Sequence, residues 1–426
     1  MKSNMLIGVV VAIQLAGMLV FQLLVIRFIG LGPETDAYIA AQAVPTFLNA
    51  VVGSALQSVW LQRLSIMQHD QPSWHAEQTL AQGQAAVLGG TVVVFLMATA
   101  TWWVPTLYPG FSKSLTQNIT GYSLVLLIAT LLNTQATLLT AALRARDRFL
   151  AAEVIALLGT VMALLAVCVL VPVWGIWSVV WIWLMRSIVI YLVQMHILGW
   201  PWPAFLEGLR LVETWRKIRP LLFSASLTKT APLVDRFWAS QAQAGGMTAL
   251  GLAQQGVGGL STVLERAISV PLIPSLSRLL ECGNVREARA RYRKRVLFVL
   301  LLTGIIATLL WGGRSSIGQA LIRVLNVSSD DAVLIWNLVV LLSGFLFVSI
   351  AGTIVMSVLY ALGEMTIAAK ISIGGFLLGL LLKWLFFEGA GVIGLAIAIS
   401  LSYLATFLIG VTLVEFKLRE MEIPRD

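Results

Sequence analysis

The chain has 426 residues, of which 58% are apolar and only 12% charged. A soluble protein of this length needs a far more polar surface, so the composition excludes an ordinary water-soluble enzyme or binding module and makes a bilayer the natural solvent. The net charge is +9; with charges so sparse, the excess reads as topology-setting loop residues rather than as a nucleic-acid surface.

Apolar runs long enough to cross a ~30 Å hydrocarbon layer recur from end to end. They predict about twelve spans, near 5–29, 34–64, 80–104, 118–143, 150–171, 175–198, 218–240, 248–278, 294–312, 331–361, 366–387 and 391–416. The first run is too long for a signal-peptide core and counts as a span. No sustained polar–apolar alternation supports a barrel. The expectation is an all-α polytopic membrane protein. An even span count puts both termini on one side. Lys2, Arg63, Arg144, Arg146, Arg148, Arg216, Lys217 and the basic run 286–295 fall on that side, against only Lys113, Arg314 and Arg323 in the opposite loops. This asymmetry places the termini in the cytoplasm. Two amphipathic basic segments, 204–218 and 284–296, are expected at the membrane interface rather than across it.

The sequence repeats itself. "AQAVPTFLNAVVGSALQSVWLQRLS" (41–65) aligns without gaps on "AQQGVGGLSTVLERAISVPLIPSLS" (253–277), and "LTAALRARDRFLAAEV" (139–154) aligns on "MSVLYALGEMTIAAKI" (356–371), pairing Asp147 with Glu364. Two matches in order predict two six-helix bundles as a parallel pseudo-repeat, an arrangement suited to alternating access. The expected divisions are an N-terminal bundle at 1–200, an amphipathic cytoplasmic linker at 201–217 opened by the helix-breaking "GWPWP", and a C-terminal bundle at 218–426.

An ionisable residue inside a span costs at least ~2–3 kcal/mol at the bilayer centre, so it usually faces a cavity or a partner. The candidates are Arg27 late in span 1, Asp36 at the start of span 2, Arg186 in span 6, Lys229, Asp235 and Arg236 in span 7, and Glu265 and Arg266 in span 8. Cavity lining and structural ion pairing are both open for Glu265 and Arg266. Pro45 and Pro232 remove a helix hydrogen bond each and are candidate hinges, Pro232 one turn from Lys229. No phosphate loop, zinc spacing or nucleophile elbow occurs. Three scattered histidines and two distant cysteines offer neither a metal site nor a disulfide framework, so no cofactor is expected.

"VIRFIGLGPETDAYIAAQAVPTFL" (25–48) resembles the opening of the MurJ/MviN lipid II flippases, in the multidrug/oligosaccharidyl-lipid/polysaccharide (MOP) superfamily. The matching residues are Arg27, Gly30, Gly32, Thr35, Asp36, Ala37, Tyr38 and Pro45. "PLVDRFWAS" (232–240) and "VPLIPSLSRLL" (270–280) are similar to the family's seventh span and the end of its eighth. The family usually has fourteen spans and arginines in spans 2 and 8. Here there is room for about twelve, Asn49 and Ala50 bring no cation, and Gln254-Gln255 stand where an Asp-Arg pair is expected.

The resemblance implies a membrane transporter rather than an enzyme. It would flip an undecaprenyl-diphosphate-linked glycan, either a polysaccharide repeat unit or a lipid II-like precursor, to the outer leaflet of the bacterial inner membrane. By their depth and charge rather than by the resemblance, Lys229, Arg266, Arg27 and Arg186 are the residues expected to bind the diphosphate. Asp36, Asp235 or Glu265 would couple or gate transport, driven by H⁺, Na⁺ or the membrane potential. A glycan polymerase or glycosyltransferases would be partners, and nucleic acid would not. A cation-coupled multidrug exporter of the same superfamily is the alternative, and a non-transporting scaffold acting through 284–295 a third reading.

Overall fold

A computed structural model of the chain describes residues 2–67, 71–201, 208–268 and 272–422. Among them are sixteen α-helices and no strand. In chain order these are α1 (Lys2–Ile29), α2 (Pro33–Leu48), α3 (Ser54–Ile66), α4 (Gln71–Ala98), α5 (Ala100–Leu107), α6 (Lys113–Ala145), α7 (Phe149–Trp174), α8 (Ile176–Ile197), α9 (Gly208–Lys229), α10 (Ala231–Ala239), α11 (Gly246–Ile268), α12 (Leu272–Glu281), α13 (Val285–Gly312), α14 (Arg314–Leu325), α15 (Ser329–Ala361) and α16 (Met365–Glu422). Nine helical stretches of the described residues are long and apolar enough to cross a membrane. α16 holds two transits, because Gly391 breaks it with φ 55° and ψ −131°. The pairs α9–α10 and α11–α12 stand where the sequence places two further spans. The fold is that of a multi-pass, all-helical membrane protein. α14 was not expected; it fills what the sequence presents as a loop between two spans.

The chain forms two compact units, Met1–Thr248 and Ala249–Asp426. In the first, α6 is the central post: α2, α3, α4 and α8 pack on it, and α1 lies along α7. Its buried face is rich in small side chains, among them Ala129, Ala136, Ala141, Ala142 and Ala145, which let helices approach closely where lipid offers no hydrophobic drive. In the second unit α15 is the post, flanked by α12, α13, α14 and α16.

The two posts share one design. Each has 33 residues and a serine N-cap: Ser112 Oγ accepts from Leu115 N, and Ser328 Oγ from Asp331 N. Each ends in a left-handed residue, Asp147 (φ 58°) and Gly363 (φ 76°). One helix later a second left-handed glycine stops the chain, Gly175 (φ 59°) and Gly391 (φ 55°). Each of the three features recurs 216 residues on. The repeat seen in the sequence is thus present in the backbone. The turn partner of Asp147 is Gly363, one position before the Glu364 that the sequence alignment pairs with it.

The segment expected as an interfacial linker lies partly outside the described residues, at 202–207. From Gly208 it is not separate from the next span: α9 runs unbroken through Pro220 to Lys229. Similarly, residues 285–296 of the basic segment form the start of α13, continuous with its apolar part.

Candidate functional site

The motif "GLGPETDA" makes a tight entry to α2. Gly30 adopts φ 91°, a conformation natural to glycine. Pro33 takes the first turn of the helix, where its missing N–H is no loss. The Thr35 hydroxyl accepts from Gly32 N at 3.1 Å and reaches the Gly30 and Gly32 carbonyls. This turn fixes Asp36, which is 2% exposed.

The Asp36 carboxylate accepts three hydrogen bonds: from Gly245 N at 2.6 Å, from Thr248 N at 2.8 Å and from Thr248 Oγ1 at 2.6 Å. Gly245 precedes α11 and Thr248 lies in its first turn, so Asp36 caps that helix from more than 200 residues away in sequence. The charge sits at the positive end of the helix dipole. Gly245 has φ 84°, and a Cβ there would lie 3.3 Å from the Leu31 Cβ; the two loops touch.

Three further groups surround this bond set. Asp235 is 5% exposed, on α10. The Arg236 guanidinium is near enough to act electrostatically on Asp36, Asp235 and the Tyr108 hydroxyl. Tyr108 is 1% exposed and donates to the Ala40 carbonyl on α2 at 2.8 Å. Gly110 lets the loop before α6 pass over the end of α10: a Cβ there would stand 2.1 Å from the Ser240 carbonyl oxygen. A second polar chain starts one turn into α2, where the Tyr38 hydroxyl accepts from Gln42 Nε2 and from Trp183 Nε1 of α8.

The structure therefore gathers two expected residues, Asp36 and Asp235, at one end of the first unit. Beside them it places Arg236, another span-7 candidate, and Tyr108, Gly245 and Thr248, which the sequence reading did not single out. The remaining candidates are dispersed. Arg27 and Lys229 are exposed, Glu265 is half-buried on α11, and the Arg266 side chain lies outside the described residues. Arg186 is 9% exposed and stands apart from the Asp36 cluster, inside the first unit. Lys383 in α16 is 5% exposed.

The two candidate hinge prolines lie near helix irregularities. α9 stops at Lys229 and α10 starts at Ala231, with Thr230 between them; Thr230 Oγ1 bonds back to the Ser226 carbonyl at 2.6 Å. Pro232 is in the first turn of α10. Pro45 is buried within α2, which passes into a π-helical turn over Asn49–Gly53 before α3. Such turns often mark functional sites.

The family model for the lipid II flippase MurJ matches residues 25–421. The chain belongs to the MurJ lipid II flippase family. MurJ-family flippases are membrane transporters, not catalysts of a chemical reaction. Among solved structures, this MurJ-family chain is similar to a lipid II flippase MurJ in an inward closed conformation, with TM-score 0.83, 15% identity, and coverage of 96% of this chain and 87% of that one. It is also similar to an inward-facing multidrug resistance MATE family transporter of the MOP superfamily, with TM-score 0.79, 14% identity and coverage of 97% and 96%. A MOP superfamily transporter from Pyrococcus furiosus aligns with TM-score 0.68, 14% identity and coverage of 99% and 97%. These likenesses establish the MOP transporter fold. No curated protein matches the chain by sequence.

Proposed function

We propose that this protein flips a polyprenyl-diphosphate-linked glycan from the cytoplasmic to the outer leaflet of a bacterial inner membrane, with both termini cytoplasmic. The observation that carries this reading is the MurJ family match over residues 25–421. The chemistry agrees. A lipid-linked sugar cannot drag its headgroup through hydrocarbon unaided, because burying unpaired polar and charged groups costs several kcal/mol each. A helical transporter that offers cations to the diphosphate while the tail stays in lipid removes that cost. Lys229, Arg27 and Arg266 serve as those cations. Lys229 adjoins the break at Thr230, so bending there moves the cation relative to α10.

Asp36 acts as a gate residue in this reading. Moving the start of α11 away from α2 requires three charge-assisted hydrogen bonds to break, each stronger than its neutral equivalent. Asp235 and Glu265 carry ion coupling, driven by H⁺, Na⁺ or the membrane potential. Twelve transits, rather than the fourteen usual in the family, suit a polysaccharide repeat unit or a lipid II-like precursor carried by a smaller apparatus. Glycosyltransferases or a glycan polymerase acting on the same lipid carrier are the matching partners.

The test is reconstitution of the full chain in liposomes loaded on one leaflet with fluorescent undecaprenyl-diphosphate glycans. Lipid II and a polysaccharide repeat unit are assayed in parallel. The proposal expects protein-dependent flipping of one of them, lost in Lys229→Ala with expression unchanged. No flipping of either cargo, together with efflux of cationic drugs from cells, would overturn it in favour of a multidrug exporter.

A further inference from the structure

Arg186 lies ten residues into α8, close to the middle of a 22-residue span. It is 9% exposed. Its Cγ packs against α7, where a Cβ on Gly159 would approach to 3.4 Å. Its guanidinium carbon sits 5.3 Å from the centroid of the Trp183 ring. That ring is fixed in turn by Phe21 of α1, edge-on at 5.7 Å, and by the hydroxyl of Tyr38. No ion pair or hydrogen bond of the guanidinium occurs among the described residues, and Nε is buried without a partner.

Among the described residues, the helices packed on α8 offer no carboxylate to spare. The helices packed on α8 are α6, α7, α2 and α1. α1, α6 and α8 themselves contain no Asp or Glu. On α7 the single carboxylate, Glu153, is held by Arg144 at 2.8 Å. On α2 Asp36 is committed to Gly245 and Thr248, and Glu34 is exposed at the helix start. Glu77 and Glu213 bind Arg63, and Asp147 is exposed in a turn.

A buried guanidinium without a counter-ion is strongly unfavourable, and an arginine stays protonated rather than neutralising. A cation–π contact supplies about 2 kcal/mol when desolvated, well short of the desolvation cost of several kcal/mol. None of the described residues supplies the missing charge. We propose that Arg186 holds a small monovalent anion of the halide class inside the N-terminal unit, with Trp183 as the back wall of the site. A single buried cation balances one negative charge; a diphosphate would leave at least one uncompensated in a low dielectric. The inference does not depend on the cargo proposed above. It assigns Arg186 a structural anion rather than the transported headgroup.

The experiment compares apparent thermal unfolding midpoints of the purified full-length protein in sodium chloride and in sodium gluconate at equal ionic strength. A parallel titration uses inorganic pyrophosphate. The wild type is expected to gain on the order of 2 °C, saturably, in chloride over gluconate. Arg186→Met is expected to lose that gain, and Arg186→Lys to need several-fold more chloride for it. An equal chloride response in wild type and Arg186→Met overturns the proposal, as does protection by pyrophosphate without protection by chloride. If Arg186→Met does not fold, wild-type crystals grown in bromide decide the matter. An anomalous peak within hydrogen-bonding distance of the Arg186 guanidinium supports the site, and its absence from that position overturns it.

Discussion

Asp36 shows how one carboxylate can organise a transporter end. It accepts two backbone N–H groups and one hydroxyl, so replacing it by alanine leaves two buried donors unsatisfied, at about 1–3 kcal/mol for each. Asp36→Ala is expected to lower the unfolding midpoint and to abolish transport. Thr248→Val removes only the hydroxyl bond and is expected to cost about 1 kcal/mol. A double-mutant cycle between Asp36→Ala and Thr248→Val, read by thermal unfolding, should give a coupling of about 0.5–3 kcal/mol; additive effects would show that the hydroxyl bond carries nothing. At this scale the sequence was half legible. Carboxylates in an apolar run announce themselves, so Asp36 and Asp235 were visible. Their partners were not, because the groups that hold Asp36 are backbone amides more than 200 residues on, and a backbone amide has no signature in a sequence. Arg236 was harder still: adjacent residues on a helix point about 100° apart, while the fold lets the Asp235 and Arg236 charges act on one cluster.

Helices and turns were the most legible level, and their limits are specific. Apolar length gave the spans; Pro45 lies inside α2 four residues before the π-helical turn, and Pro232 in the first turn of α10 after the break at Thr230. The π-helical turn at Asn49–Gly53 was not visible, since nothing in "NAVVG" distinguishes it from a regular turn. α14 was missed because 12 residues with modest apolar content resemble a polar loop. Two predictions belong here. Gly110→Ala forces a Cβ into the Ser240 carbonyl and the Gln241 Cα, both backbone. It is expected to unfold or misassemble the α5–α6 loop, whereas Gly90→Ala, with open space around it inside α4, should stabilise by up to about 1 kcal/mol. Thermal unfolding of the pair checks both. The second concerns the cytoplasm-facing end proposed for α13. Arg289 donates to Glu415 at 2.8 Å and to Glu422 at 2.7 Å on α16, and Arg293 adds a bond to Glu415 at 2.7 Å. Glu415→Gln is expected to cost about 1 kcal/mol, less at high salt, because these charges are only partly buried. A salt-independent loss would argue for packing instead of charge.

For the whole molecule, composition alone fixed the solvent, and the repeat fixed the class. Orientation is the part that the fold does not determine, and the two cysteines provide a probe of it. Cys282 lies exposed in the turn before α13, and Cys168 lies exposed on α7 inside an apolar span. With cytoplasmic termini, a membrane-impermeant maleimide should label Cys282 in inside-out vesicles and not in intact spheroplasts. Cys168, sheltered by lipid, should resist labelling from either side. Labelling of Cys282 from outside would invert the proposed topology. The 216-residue periodicity of the serine caps and left-handed stops carries a further implication, one about origin. Six crossings is an even number, so a polypeptide of half this length enters and leaves the bilayer on the same face. Two copies fused end to end therefore need no additional crossing to keep both in the same orientation. A tandem duplication of one gene could yield this chain in a single event, and separate halves co-expressed from two genes would still insert with matching polarity.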